Sequence, residues 1–306
     1  MDLVNLLDPQ LTDLVETYGR FELADASPAP ALSARAAAAL SDGVVRRDLV
    51  VPGDPDVTIR VHRPAGADGP LPCIVSMHPG GYVLGDMSWD DPLFDDWCPR
   101  LSVVGVSVDY RLSPTTPYPG PLMDCYTALK WVYENAAELG IDPFKIGLHG
   151  IGAGGGLAAA LALVARDHRE VPLAFQLLDS PMLDDHQQTL SSRLPGLPIW
   201  SSRSSEVGWQ AYLGELHGTE DVPMYAAAAR CGNLRRLPPA FVSVGSLDGF
   251  HDEDVAYATR LNQTGIPTEL HVYAGAPHGY HLAGDSDVAR RAATDKASWL
   301  RRHLTQ

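Results

Sequence analysis

The chain has 306 residues, 45% of them hydrophobic and 20% charged, and carries a formal net charge of −15. That length and apolar fraction suffice for a full α/β core, in one domain or two. The negative balance argues against nucleic acid or an anionic membrane as a partner, and the scattered acidic residues read as a solvated surface.

Four cysteines (Cys73, Cys98, Cys125 and Cys231) lie far apart, with no CxxC and no metal-ligand spacing, so no metal site is expected. The opening MDLVNLLDPQLTDLVETYGR has early acidic residues, no basic n-region and no long apolar run, unlike a signal peptide. The alanine-rich segment after Gly156 is soon broken by Arg166 and Asp167, so a membrane span is not expected either. A cytoplasmic protein is the resulting expectation.

In chain order, apolar residues from Leu3 to about Tyr18 recur at helical spacing. A Pro/Ala/Ser stretch from Ala26 to Ala36 reads as a loop leading into a short helix. Val44–Val51 and Asp56–His62 read as paired strands around the turn Pro52-Gly53-Asp54-Pro55. Short apolar strands follow at Pro72–Met77 and Ser102–Asp109. From there helices and strands alternate. Helix Leu122–Leu139 precedes strand Lys145–His149, and helix Ala153–Ala165 precedes strand Leu173–Leu178. Strand Ala240–Val244 leads to helix Asp252–Gly265, strand Glu269–Tyr273 to a loop, and a last helix runs from Val288 to Leu304. This alternation predicts an α/β protein with a mostly parallel central sheet flanked by helices. The N-terminal helix and a polar segment, 184–218, do not fit it. Read as a helical cap, they divide the chain into an N-terminal cap part (1–43), a catalytic domain (44–183 and 219–306) and a cap insertion (184–218).

The chemistry is concentrated at Lys145-Ile-Gly-Leu-His-Gly-Ile-Gly-Ala-Gly-Gly-Gly156. A short apolar strand runs into glycines and then into an alanine-rich helix, the context of the nucleophile elbow G-x-S-x-G. Gly150 and Gly154 hold the flanking positions, but the nucleophile position is Gly152. Gly150-x-Gly152-x-x-Gly155 also matches the dinucleotide fingerprint, with Asp179 after the next strand as its acidic residue. That loop alone leaves both readings open; the flanking elements favour the elbow. Upstream, His78-Pro-Gly-Gly-Tyr82 follows a strand. Pro79 has no N–H to donate, but Gly80 and Gly81, with Ala153 after the nucleophile position, offer amides suited to an oxyanion hole. His78 reads as a loop-holding residue. Downstream, Asp248 ends a strand and His278 sits in the loop after the next one. The order 152, 248, 278 is that of nucleophile, acid and base.

With these motifs the chain resembles the bacterial hormone-sensitive-lipase-like esterases of the α/β-hydrolase superfamily. Further matches are Asp109-Tyr-Arg-Leu-Ser-Pro114, Pro181-Met-Leu-Asp-Asp185, Trp209-x-Ala-Tyr-Leu-Gly214 and Pro277-His-Gly. The resemblance implies a carboxylesterase for short- to medium-chain acyl esters, with a cap and without metal or cofactor. Gly152 in place of serine removes the hydroxyl, so the chain as written is expected to be nearly inactive. Three explanations stand: an inactivated variant suited to trapping a ligand, a natural protein that binds without turnover, and a serine-independent lyase with His278 as base. Tyr82, Trp89, Trp209 and Tyr212 are the leading candidates for the substrate pocket, with Leu6, Tyr18 and Trp200 also considered. The expected partner is a neutral small-molecule ester, and the strand near Glu269–Tyr273 is the candidate edge for a homodimer.

Overall fold

Apolar runs of five to eight residues, separated by helices, bury both faces of a sheet and leave little choice but parallel pairing. A computed structural model describes residues 6–23 and 40–304. The loop and short helix expected within 24–39, and the first turn of the N-terminal helix, lie outside the described residues. The chain runs α1 (Thr12–Tyr18), β1 (Arg20–Phe21), β2 (Val44–Val51), β3 (Val57–Pro64), β4 (Leu71–Met77), α2 (Asp91–Leu101), β5 (Val104–Asp109), α3 (Gly120–Glu134), α4 (Ala136–Leu139), β6 (Ile141–Ile151), α5 (Ala153–His168), β7 (Phe175–Asp179), β8 (Ile199–Trp200), α6 (Ser202–Leu213), β9 (Ala240–Leu247), α7 (His251–Gln263), β10 (Thr268–Pro277) and α8 (Asp287–Leu304).

Eight strands form one sheet in the order β10-β9-β7-β6-β4-β5-β3-β2. Pairing is parallel from β10 across to β5, and antiparallel where β3 joins β5 and β2. The parallel centre and its flanking helices match the expected α/β layout. β10, where a dimer contact was considered, is an edge strand. The expected helix 122–139 is in fact two: Asn135 leaves helical geometry at φ −105° and ψ 18°, and its side-chain amide donates to the Trp131 carbonyl. Helix α2, absent from the sequence reading, carries Phe94, Trp97 and Cys98 into the core. No helix among the described residues is long and apolar enough to cross a membrane.

The N-terminal segment and the 184–218 segment meet each other. β1 pairs in parallel with β8, matching Arg20 to Ile199 and Phe21 to Trp200. The Leu23 amide donates to Ser204 Oγ at 2.9 Å, and Ser201 Oγ donates to Glu22 Oε2 at 2.8 Å. Ser201 also caps α6 by accepting from the Ser204 amide.

Helix α5 lies in close contact with the sheet. Every residue from Ala153 to Ala165 is buried, since glycine and alanine let its axis lie close to the sheet. A Cβ at Gly154 would stand 2.0 Å from the Met77 carbonyl oxygen at the end of β4. Real contacts of that kind do not occur, so the elbow's flanking glycine is a steric necessity. Gly154→Ala is therefore expected to lower unfolding stability by about 1–3 kcal/mol or more, read as a drop in urea midpoint at unchanged slope; an unchanged midpoint would contradict the packing described.

Candidate active site

Gly152 sits between β6 and α5 with φ +56° and ψ −120°. Three backbone bonds fix it there. Its amide donates to the Asp179 carbonyl at 3.0 Å, and its own carbonyl accepts from Gly156 at 3.0 Å and Met182 at 2.9 Å. Positive φ is disfavoured for residues with a Cβ, so a serine here would be strained. Space, however, is available. A Cβ built on Gly152 would meet only the His278 ring, with Cε1 and Nε2 both 3.6 Å away. A hydroxyl one bond further on would fall within hydrogen-bonding reach of that nitrogen.

His278 lies in the loop after β10, and its Nδ1 is 2.8 Å from Oδ2 of Asp248. Asp248, buried just past the end of β9, also accepts the Phe250 amide on Oδ1 at 3.0 Å. An Nδ1–H donated to the carboxylate leaves Nε2 as the acceptor that faces Gly152. The ring is flanked by Phe250 edge-on at 5.4 Å and Trp200 at 6.0 Å. Burial works against an imidazolium, but the charge of Asp248, its hydrogen bond and the more distant Asp179 together outweigh it and raise the His278 pKa above its ordinary value.

Gly80, Gly81, Gly152, Ala153 and His278 all line one cavity of about 360 Å³. Ala153 is the first residue of α5, where backbone amides have no intrahelical acceptor and the helix dipole favours negative charge. The loop that carries Gly80 and Gly81 is held from behind. Buried His78 donates from Nδ1 to the Pro79 carbonyl at 2.8 Å, stacks on Tyr110 at 4.1 Å, and has its pKa pushed down to about 4 by burial, the Pro79 contact opposing. Its place is behind the loop, away from Gly152.

Of the expected pocket residues, Trp89 lines the cavity, as do Tyr18 and Trp200. Three others require correction. Tyr82, Trp209 and Tyr212 are fully buried beneath the loop and do not reach the cavity. Tyr82 stacks on Tyr212 at 4.0 Å and tilts against Trp209 at 5.4 Å. Tyr82 also has φ +68°, an uncommon conformation for an aromatic residue; the stack holds it and thereby shapes the turn from Gly81. Leu6 is half exposed and lies outside the cavity wall. The sequence reading missed Leu84, Trp97, Ile199 and Phe250, which complete the apolar wall.

Asp179 decides between the two readings of the glycine loop. Its backbone carbonyl holds the Gly152 amide, while its buried carboxylate forms an ion pair with Lys296 of α8 and accepts from Ser243 Oγ at 2.8 Å and Tyr280 Oη at 3.1 Å. Burial would raise its pKa, but Lys296, His281 and the Ser243 hydroxyl hold it well below the carboxylate range. A carboxylate so fully engaged has nothing left for a ribose hydroxyl.

A family model described as alpha/beta hydrolase fold matches residues 74–282. Carboxylesterase NlhH of Mycobacterium tuberculosis is 35% identical over 240 residues, covering 78% of this chain and 75% of its own. The solved structure titled Bacterial Heroin Esterase aligns with a TM-score of 0.95 and 38% identity over 98% of both chains. A serine-to-alanine mutant of the esterase rPPE, crystallised with a ligand, aligns at a TM-score of 0.89 and 28% identity, again over 98% of both.

The His278–Asp248 pair has a pH signature. A pKa raised on folding contributes stability in full below the unfolded histidine value near 6.5, and that contribution is lost as pH rises through the higher folded value. In an NMR titration His278 should therefore titrate above an ordinary histidine, and Asp248→Asn should move it downward. An unmoved midpoint would contradict the ion pair.

Proposed function

Since this chain belongs to the alpha/beta hydrolase fold family, we propose that it is a carboxylic-ester hydrolase for short- to medium-acyl esters whose Ser-His-Asp machinery lacks only its nucleophile. The observation that carries this reading is the open space at Gly152, 3.6 Å from a His278 Nε2 whose opposite nitrogen is held by Asp248. With a serine there, His278 takes the hydroxyl proton as the oxygen attacks the ester carbonyl. The amides of Gly80, Gly81 and Ala153 receive the oxyanion, and each such donor typically contributes roughly 3 kcal/mol. His278 then protonates the departing alcohol, and water repeats the cycle on the acyl-enzyme.

Without an Oγ no acyl-enzyme forms. What survives is binding and oxyanion stabilisation, on the order of 10³–10⁴ over water. The N-terminal segment and residues 184–218, joined through β1 and β8 and contributing Tyr18, Ile199 and Trp200 to the cavity, act as the cap. The largely apolar wall suits an ester without phosphate. A protein of this design binds its ester and does not release it as products, which is the property expected of a trap. The rPPE mutant with its bound ligand is a parallel among relatives.

Gly152→Ser should raise kcat/KM on a short p-nitrophenyl ester by several orders of magnitude, on the order of 10⁴ or more. A folded serine form that stays inactive would sink the esterase reading. Turnover by the glycine form that vanishes in His278→Ala would mark the serine-independent lyase instead.

A further inference from the structure

A strand buried on both faces of a parallel sheet is expected to be apolar throughout. β4, β5 and β6 break this rule at one level. Ser107, Ser76 and His149 are register partners across three adjacent strands and all three are buried. Asp90, at the start of α2, adds a buried carboxyl to the row, with the hydroxyls of Ser76 and Ser107 beside it. Two of the row's residues, Asp90 and His149, also line the cavity that holds Gly152 and His278.

The direction of the hydrogen bonds along this row can be worked out. Ser76 Oγ is 2.9 Å from His149 Nδ1, and Ser107 Oγ is 3.1 Å from His62 Nε2. Burial is the main reason both histidines are pushed down to about 3, so both are neutral. Each serine has one proton. When both give it to Asp90, each must accept the ring proton of its histidine. His149 then carries its hydrogen on Nδ1, which leaves Nε2 as the acceptor of the ring. Buried Asp90 Oδ2 has no hydrogen-bond partner among the described residues.

Among the described residues Asp90 is in no ion pair. Arg60 is taken by Asp48 and by Asp91 at 2.8 Å, and Lys296 is committed to Asp179. Burial, with Asp91 and Asp86 nearby, pushes the Asp90 carboxyl up to about 7 against the two serines. The same wall carries Trp89 and Trp97, the latter edge-on to His149 at 5.0 Å. An unpartnered carboxyl oxygen and an imidazole beside it, with indole rings on the same wall, make a receptor for a positively charged hydrogen-bond donor.

We propose that Asp90 and His149 form a subsite for a protonated amine carried by the ester that this cavity binds. The inference rests on the esterase reading for the identity of the ligand as an ester, and goes beyond it by naming the group that the deep wall selects.

Two pairs of esters test it, the members of each pair matched in shape and differing in charge. One pair puts the group on the alcohol side: 2-(dimethylamino)ethyl acetate against 3-methylbutyl acetate. The other puts it on the acyl side: ethyl 4-(dimethylamino)butanoate against ethyl 5-methylhexanoate. Calorimetry on the chain as it stands, with Gly152 in place, measures binding without turnover. In at least one pair the ammonium member should bind about tenfold or more tightly, and Asp90→Asn, checked for fold by its melting curve, should remove most of that ratio. Equal affinities in both pairs, or a preference that survives Asp90→Asn, would overturn the subsite. Hydrolysis of the neutral esters by Gly152→Ser, measured in parallel, keeps the two readings apart. An active serine form without ammonium preference sinks only the subsite; ammonium preference with an inactive serine form sinks only the esterase.

Discussion

The site depends on one close approach, that of the first turn of α5 to the ends of β4 and β6. At Gly154 no atom fits between the helix backbone and the Met77 carbonyl, and at Gly150 a Cβ would stand 2.1 Å from the Gly154 carbonyl. With side chains excluded on both sides, the chain has to turn sharply between them, and residue 152 is forced to the tip. The same approach aims the N-terminus of α5 at the cavity, so its unpaired amides and dipole face the place where negative charge would develop. The loop with Gly80 and Gly81 leaves the end of β4 at the same level. The geometry of the candidate site is thus a by-product of sheet-to-helix packing, and it persists whether or not residue 152 carries a side chain.

Much of this was legible from the sequence because each element has a local cause. Glycines two apart between an apolar strand and an alanine-rich helix name the turn; an aspartate closing one strand and a histidine after the next name the pair that the structure brings to 2.8 Å. What failed to show depends on contacts between distant segments. Tyr82, Trp209 and Tyr212 look like pocket aromatics on a motif map, yet they stack on one another under the loop, because a tyrosine at positive φ needs that support. Helix α2 was missed because Pro99 and a run of aspartates hide the spacing of Phe94, Trp97 and Cys98, which does meet the helical rule. The split at Asn135 is a capping decision that the amphipathic pattern runs straight through.

The polar row Ser107–Ser76–His149 was also invisible, although its residues were in plain sight. A single serine or histidine in an apolar strand is unremarkable. Only the pairing register places all three at one level, and only the fold brings Asp90 against them. Local consistency tells how a chain folds, and deviations from it tend to gather where it works. Here two of the four residues, Asp90 and His149, reach the wall of the same cavity.

Asp179 joins the two ends of this design. Its backbone carbonyl steadies the amide of Gly152, and its carboxylate is neutralised by a lysine on the last helix, more than a hundred positions along the chain. The final helix is consequently more than a cover for the sheet. A truncation that removed α8 would strand a buried negative charge directly behind the bend at Gly152, and the backbone that shapes that bend would have to relax to reach water.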